Sequence, residues 1–288
     1  MLRSMTAFAR REDEGAWGAL TWELRSVNHR YLEVSLRLPD ELRGLESAVR
    51  ERATRRLGRG KLDATLRFKP APRRGATLRL DEPLLGQLIE ACGQIAARLP
   101  QAAPVSPLEL LRWPGVIPEE GGDPAPLAEA ALALFDQALD DLVATREREG
   151  TQIAEVLRTR LDALAPLVAE TRVRLPEIHA RIRDKLRARV EELCANPEPD
   201  RLEQELAFIA QKLDVDEELD RLTGHITETR RVLGLAEPVG RRLDFLMQEF
   251  NREANTLGSK SADSETTRSA VALKVLIEQM REQVQNVE

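Results

Sequence analysis

Two glutamates and a histidine late in the sequence have the types and spacing of a metal site. Glu249 and Glu253 are four residues apart in a segment with helical periodicity, residues 240–263, so they share one flank of its apolar stripe. His225 belongs to the preceding helical segment, residues 214–233. Carboxylate oxygens suit Mg²⁺ and Mn²⁺, and Mn²⁺ also accepts an imidazole. A cation held there could polarise a phosphate oxygen or activate water for attack on phosphorus.

These two segments are predicted to form an antiparallel helical hairpin. The first carries an apolar stripe at Val215, Leu219, Leu222, Ile226 and Leu233. The second carries one at Leu243, Leu246, Met247, Phe250, Ala254 and Leu257. The link between them, residues 234–240, is short enough to force the hairpin. Gly258 is expected to end the second helix, and a polar link is expected to follow it.

The hairpin brings polar flanks of the two helices together. Folding about the middle of the link sets His225 level with Glu249, and Arg221 level with Glu253. We call the resulting cluster the acidic seam: Glu218, Arg221, His225, Glu249 and Glu253. Its candidate metal ligands are Glu218, His225, Glu249 and Glu253. The alternative is a salt-bridge network in which Arg221 and Arg252 neutralise the glutamates.

Lys260 and His225 are further candidates for chemistry. Lys260 lies in the polar stretch after Gly258 and could contact a scissile or flanking phosphate. The alternative is a solvated turn after a helix C-cap. His225 could carry a proton near neutral pH as well as bind a metal, or it could be a partly buried structural histidine. The predicted catalytic residues are His225, Glu249, Glu253 and Lys260.

A tight turn near the N-terminus carries polar and aromatic side chains: Arg25, Asn28, His29, Arg30 and Tyr31. Arginine binds phosphate in a bidentate manner, asparagine reads base edges or ribose, and tyrosine stacks on bases. With Arg3 and Lys260 they are the predicted RNA contacts. Two alternatives stay open. Asn28 could hold the turn while the arginines pair with Glu23 and Glu33, or the turn could meet the acidic seam of a neighbouring subunit.

The remaining elements predict an α+β fold in three parts. Residues 1–126 form a basic domain in which an antiparallel sheet packs with helices on one side. Its strands are predicted at residues 2–10, 16–27, 31–38 and 61–68, with a possible fifth at 77–80. Helices are predicted at residues 40–57 and 81–99, and one short helix within residues 100–126.

Residues 127–200 are predicted to form a long helical arm, and residues 201–288 a helical domain that contains the hairpin and a last helix starting at Asp263 or Ser264. A continuous helix over residues 127–193 would be roughly 100 Å long. Pro166 and Pro176 could kink or break it. Such an arm cannot bury both of its sides in one monomer, so a homo-oligomer is predicted.

Composition and charge narrow the function classes. No apolar run of membrane-spanning length and no signal-peptide core is present, so a cytoplasmic protein without a membrane partner is predicted. The net charge of −6 argues against a generic nucleic-acid binder. However, residues 1–74 hold 17 lysines and arginines against 10 acids, a net of +7, which leaves −13 for the rest. A basic N-terminal third could attract a polyanion locally.

Three separated motifs carry a family resemblance: MLRSMTAFAR with RSVNHRYLE, then REANTLGSKSAD, then VQNVE. Together they resemble the YicC/YloC family of bacterial endoribonucleases, over nearly the whole chain. The resemblance implies divalent-metal-dependent cleavage inside RNA strands by an oligomeric, ring-like enzyme, and it points toward six chains.

Two functions from different classes follow. The first is a metal-dependent endoribonuclease, using Mg²⁺ or Mn²⁺, that acts on single-stranded or structured RNA. The second is a non-catalytic, oligomeric RNA-binding or adaptor protein. Whether the glutamates bind a cation separates the two, because bare carboxylates repel phosphate.

Overall fold

A computed structural model describes the chain over residues 2–71, 79–99, 101, 103–117, 124–193, 198–212, 214–261 and 263–288. The fold is α+β, as predicted. A four-stranded sheet with helices is followed by one very long helix and a group of C-terminal helices.

The sheet consists of β1 (Ala7–Gly15), β2 (Gly18–Val27), β3 (Leu32–Arg37) and β4 (Gly60–Pro70), in the order β1-β2-β4-β3. The β1–β2 and β2–β4 pairs are antiparallel. The β3–β4 pair is parallel, because a helical connection carries the chain back to the same end of the sheet before β4 begins. The sheet is therefore mixed rather than wholly antiparallel.

The first strand begins later than predicted, at Ala7, because the residues before it bond elsewhere. The Ser4 N–H donates to the carbonyl of Arg146, and the Met5 N–H donates to that of Asn286. The first turn is tight, since Gly15 pairs directly with Gly18, whose φ of 125° favours glycine. The possible fifth strand at residues 77–80 lies partly outside the described residues, and Arg79 and Leu80 belong to no strand.

The helices predicted within residues 1–126 are close to their predicted positions. A 3₁₀ turn at Asp40–Leu45 leads into α1 (Glu46–Arg56), and α2 spans Glu82–Ala96. The Asp81 side chain caps α2 by accepting from the Leu84 N–H at 2.9 Å. The short helix α3 is Pro107–Leu111.

The long helix α4 (Pro124–Leu193) has 70 residues, so it is about 105 Å long. Its first part packs on the sheet, where the Trp22 Nε1–H donates to the carbonyl of Ala131 and the Trp22 ring packs against Phe135. Its middle part is buried among the C-terminal helices. The helix continues through Pro166 and Pro176, and this packing on both sides of Pro166 holds it in place.

The two cores cover α4 with residues of the same chain. Its buried apolar residues run from Ala131 to Ile178, and the large apolar residues that stay exposed on its described part are Val156, Val173 and Leu193. Oligomerisation through the arm stays a prediction, supported by these exposed positions.

Four helices complete the chain: α5 (Pro199–Lys212), α6 (Asp216–Val232), α7 (Gly240–Lys260) and α8 (Ser264–Val284). Of the two predicted starts of α8, Asp263 is the cap, and it accepts from the N–H groups of Glu265 and Thr266. The expected stop at Gly258 is wrong. Here α7 packs closely on α8, with Gly258 facing Ala270, and the helix runs on to Lys260. Among the described residues no helix is long and apolar enough to cross a membrane.

Candidate metal centre

The predicted hairpin is formed by α6 and α7. Every residue of the two predicted apolar stripes is buried, and the link is short, so the helices pack stripe against stripe. The predicted register is confirmed. His225 lies beside Glu249, and Arg221 lies beside Glu253 with its Nη1 3.3 Å from Oε1.

Three of the predicted ligands meet at one point of the seam. His225, Glu249 and Glu253 each offer one ligand atom, and these atoms all lie within 4.8 Å of one another. Ligands of one Mg²⁺, Mn²⁺ or similar cation lie about 2.0–2.6 Å from it, so two ligands of the same ion are separated by at most about 5 Å. The three side chains are thus within reach of a single ion.

The imidazole of His225 is the least satisfied group at this point. Its Nε2 is buried and has no hydrogen-bond partner among the described residues. The ring packs edge-on against Phe250, with the ring centroids 5.5 Å apart, and this contact fixes its orientation. A buried polar atom without a partner is costly, and in native proteins it usually has a water, an ion or a functional role. The residues present therefore fit a cation.

The carboxylate of Glu253 is almost fully enclosed, with 2% of the residue exposed. Its partner Arg221 is shared with Glu217, and hydrogen bonds to Glu253 first and Glu217 second raise the pKa of the guanidinium. Glu249 adds a second carboxylate at the point where the candidate ligands meet, and Arg221 is ion-paired there with Glu253 alone. The point carries net negative charge when His225 is neutral, which favours a cation.

The salt-bridge alternative is realised only in part. Arg221 binds Glu253 as that alternative requires, but Arg252 has no acidic partner within 4.0 Å in the described part of the chain. Glu249 is likewise without an ion pair to a described residue. The seam is therefore not a closed network.

Glu218 and Lys260 form a separate pair further along the seam. The Lys260 Nζ lies 2.9 Å from Glu218 Oε1 and 2.8 Å from the carbonyl oxygen of Asp214. Glu218 is 5% exposed, and its Oε2 has no partner among the described residues. The structure therefore places Glu218 with Lys260 rather than with His225. Lys260 would reach a phosphate only by exchanging one of its two contacts.

The predicted RNA contacts divide into tethered and free side chains. Arg3 binds Glu147 through Nε and Nη2, at 3.1 and 2.6 Å, and Asn28 Nδ2 donates to the carbonyl of Gln285 at 2.6 Å. The His29 ring lies between the Tyr31 carbonyl and Glu33.

Arg25 and Arg30 have no acidic partner within 4.0 Å in the described ranges. Arg30 lies over the exposed ring of Tyr31, 5.3 Å from its centroid. Glu23 and Glu33 pair instead with Arg10, Arg67 and Lys61. Asn28 thus holds the turn, as one alternative expects, but the arginines do not pair as that alternative requires.

Comparison with known proteins gives the family. A family model described as "Endoribonuclease YicC-like, N-terminal region" matches residues 2–155, and one described as "Endoribonuclease YicC-like, C-terminal" matches residues 171–288. The chain belongs to the YicC-like endoribonuclease family. Two YicC relatives are named "Probable endoribonuclease YicC", and each is matched over all of both chains. One is from Haemophilus influenzae, at 44% identity, and the other from Clostridioides difficile, at 32%.

This YicC-like chain also contains a buried polar cluster that the sequence reasoning missed. Arg146 of α4 is 0% exposed and donates to the carbonyls of Ser4 and Arg59 and to the Glu288 carboxylate. Burial lowers the pKa of its guanidinium, although Glu288 opposes that shift. The available signal was an arginine on the apolar face of α4 that includes Leu139 and Ile153.

Glu288 connects Arg146 to the segment before β4 and to the start of α7. Its Oε1 accepts from the Gly58 N–H at 2.9 Å, and its carbonyl accepts from the Gly240 N–H at 3.0 Å. A side chain at Gly240 would collide with the Val287 carbonyl, 2.3 Å from the added Cβ. The start of α7 is therefore fixed against the sheet domain.

Proposed function

We propose that this chain is a metal-dependent endoribonuclease whose acidic seam holds a divalent cation while basic surfaces hold the RNA. Family membership supplies the reaction class. The observation that supports the metal site is the convergence of His225, Glu249 and Glu253 within 4.8 Å, with the buried His225 Nε2 unpartnered.

Each residue of the seam has a distinct task in this proposal. His225, Glu249 and Glu253 would hold the cation, and the mixed nitrogen and oxygen set favours Mn²⁺ over Mg²⁺. A cation bound there supplies charge that polarises a phosphate oxygen and activates water. Arg221 orients the Glu253 carboxylate, and Phe250 orients the His225 ring. Glu218 pairs with Lys260 further along the seam and takes no direct part in holding the cation.

The basic residues of the sheet domain would bind the strand. Arg25, Arg30 and Tyr31 are exposed and free to contact phosphates and bases. Asn28 and His29 fix the turn that carries Arg30 and Tyr31, and Arg3 fixes the segment before β1.

The direct test is cleavage of an end-labelled RNA with Mn²⁺, with Mg²⁺ and with chelator. Wild-type protein should cleave internally only when a cation is present. Glu249→Gln should lose at least about 100-fold in cleavage while RNA binding persists, because it removes a ligand without changing size. Glu282→Gln is a matched control, since Glu282 is an exposed carboxylate on the neighbouring α8 without an ion pair to a described residue.

Direct metal titration tests whether Glu249→Gln loses cleavage because it no longer binds the cation. Mn²⁺ bound per chain, measured by electron paramagnetic resonance of the free ion, should fall in Glu249→Gln and stay at the wild-type value in Glu282→Gln. Full cleavage by Glu249→Gln at matched Mn²⁺ would end the proposal for this seam.

The Arg221–Glu253 ion pair favours a second function, an oligomeric RNA-binding or adaptor protein without catalysis. In that case the guanidinium occupies the place of the cation. RNA would then bind equally well in chelator and in Mn²⁺, no cleavage would occur, and Glu249→Gln would change neither result.

A further inference from the structure

The outward face of α7 carries basic and aromatic side chains in one line. Residues four, three, four and three positions apart lie on one face of a helix, and here they are all exposed: Arg241, Phe245, Gln248, Arg252 and Asn255. We call this line the α7 stripe. It contains no acidic residue, and Phe245 is 58% exposed. The opposite face of α7 is the buried apolar stripe, so the α7 stripe has no role in the core.

The arginines of the α7 stripe differ from the others on the hairpin. Arg221 and Arg242 bind glutamates of α6. Arg241 and Arg252 have no acidic partner within 4.0 Å among the residues that the structure describes. They stand about 16 Å apart along the helix axis, on the same side. Two free guanidinium groups with an aromatic ring between them suit a polyanion that also carries stacking bases.

A groove at the start of α7 extends this line into the sheet domain. Its volume is about 360 Å³, and its lining includes Arg30, Tyr31, Arg59 and Arg241. Tyr31 is 59% exposed. None of these three arginines has an ion pair to a described acid, and Arg59 uses only its Nε, to donate to the His29 carbonyl. The groove therefore combines an accessible ring with arginines that have no ion pair, and the Glu288 carboxylate that also lines it is paired with Arg146.

The far part of the stripe passes beside the metal centre. Glu249 lies one helical turn before Arg252, on the flank between the stripe and the core. A strand that contacts Arg252 would run directly past the seam.

We propose that the groove and the α7 stripe together bind single-stranded RNA. Bases stack on Tyr31 and Phe245, and phosphates contact Arg30, Arg59, Arg241 and Arg252. Exposed rings stack only on unpaired bases, so duplex RNA is excluded from this surface. The delivery of the strand to the seam rests on the proposed function, whereas the binding does not.

The test is fluorescence anisotropy with a labelled 12-nucleotide oligouridine, in chelator, so that no cleavage occurs. Arg241→Gln with Arg252→Gln should weaken binding and reduce the slope of log K against log salt by about 1.4, since each phosphate contact on a single strand contributes about 0.7. Phe245→Ala should weaken binding about 5- to 100-fold and leave the slope unchanged, because it removes stacking and no charge. An RNA duplex of the same length should bind far more weakly than the single strand.

A matched control removes the same charge from another helix. Arg268 and Lys274 are exposed on α8 without an ion pair to a described residue, and their double replacement by Gln should change affinity and slope far less. Equal losses in both double variants would reduce the effect to net charge and overturn the proposal.

Light scattering on every variant tests whether the α7 stripe instead forms a contact between copies of the chain. Unchanged affinity together with a lower molecular mass in Phe245→Ala would also overturn the proposal, and it would assign the α7 stripe to a contact between copies of the chain. The outcome is independent of catalysis. Binding at the stripe can be found even if wild-type protein fails to cleave RNA, and it can be absent even if Glu249→Gln proves inactive.

Discussion

Two polar clusters use buried charge in opposite ways. One surrounds Arg146 of α4, and the other is the candidate metal centre of the α6–α7 hairpin. The Arg146 cluster sets one guanidinium against two carbonyls and one carboxylate. Its three contacts join α4 to three other segments of the chain, although the Arg146 Nη1 has no described partner. The candidate metal centre brings the carboxylates of Glu249 and Glu253 together with one guanidinium, that of Arg221, and leaves the His225 Nε2 without a described partner. A cluster that is balanced by its own neighbours stabilises the fold. A cluster with excess negative charge and an unpartnered ligand atom lacks a partner of the kind that a bound cation would supply.

The largest effect is expected where this contrast is broken at the metal centre. Glu249→Gln and Glu253→Gln should each reduce Mn²⁺-dependent cleavage by at least about 100-fold, and the double variant should be little worse, because the ligands act as a unit. Single-turnover cleavage under matched Mn²⁺ measures this. Effects that multiply in the double variant would show that the two glutamates act independently.

Breaking the Arg146 cluster should affect stability instead. Arg146→Met removes the cation from the Glu288 carboxylate, which keeps only the Gly58 N–H, and it removes a donor from two carbonyls. Removal of one member of a buried ion pair costs about 3–5 kcal/mol. Urea unfolding followed by circular dichroism measures the loss. Cleavage per folded molecule should stay near the wild-type value, and a selective loss of cleavage at full stability would contradict the structural role.

An intermediate effect is expected at His225. Without metal, His225→Leu removes a buried polar atom that has no partner, so the free energy of unfolding should rise by about 1 kcal/mol. Wild-type protein should gain thermal stability on addition of Mn²⁺, and the variant should not. A variant that Mn²⁺ stabilises as much as wild type would remove His225 from the ligand set.

The smallest effect is expected at an exposed ion pair on the same hairpin. Hydrogen bonding to Arg231 first, with Arg242 also contributing, lowers the pKa of Glu228 from 4.5 to about 2. A depressed carboxylate pKa stabilises the folded state above the unfolded pKa, and this contribution is lost as pH falls from about 4.5 toward 2. Thermal unfolding should show Glu228→Gln slightly less stable than wild type at pH 7, with the gap closing across that window. A gap that persists at pH 2 would mean that ionisation is not its source.

The hairpin and its register were predictable from the sequence because two periodic stripes and a short link leave one arrangement. Capping residues likewise predicted that one helix starts at residue 81 and the last one at Asp263 or Ser264. Levels along two packed helices follow from spacing alone, so the meeting of His225 with Glu249 needed no further information.

What the sequence could not provide depends on contacts between distant segments. Lys260 pairs with Glu218 because α7 continues to Lys260, whereas Gly258 had predicted an earlier end of the helix. The parallel β3–β4 pair depends on how the connecting helix packs. The burial of Arg146 depends on the meeting of four segments, and the unpaired state of Arg241 and Arg252 depends on which glutamates α6 presents.

One helix contributes to both hydrophobic cores, and this shapes how the molecule must melt. Part of α4 packs on the sheet and the next part packs against α6 and α8, and both parts belong to one continuous helix. If α4 frays in its middle, each hydrophobic core loses part of the helix against which it packs. The two halves are therefore thermodynamically coupled, and calorimetry should record a single cooperative transition over a chain that two family models describe separately.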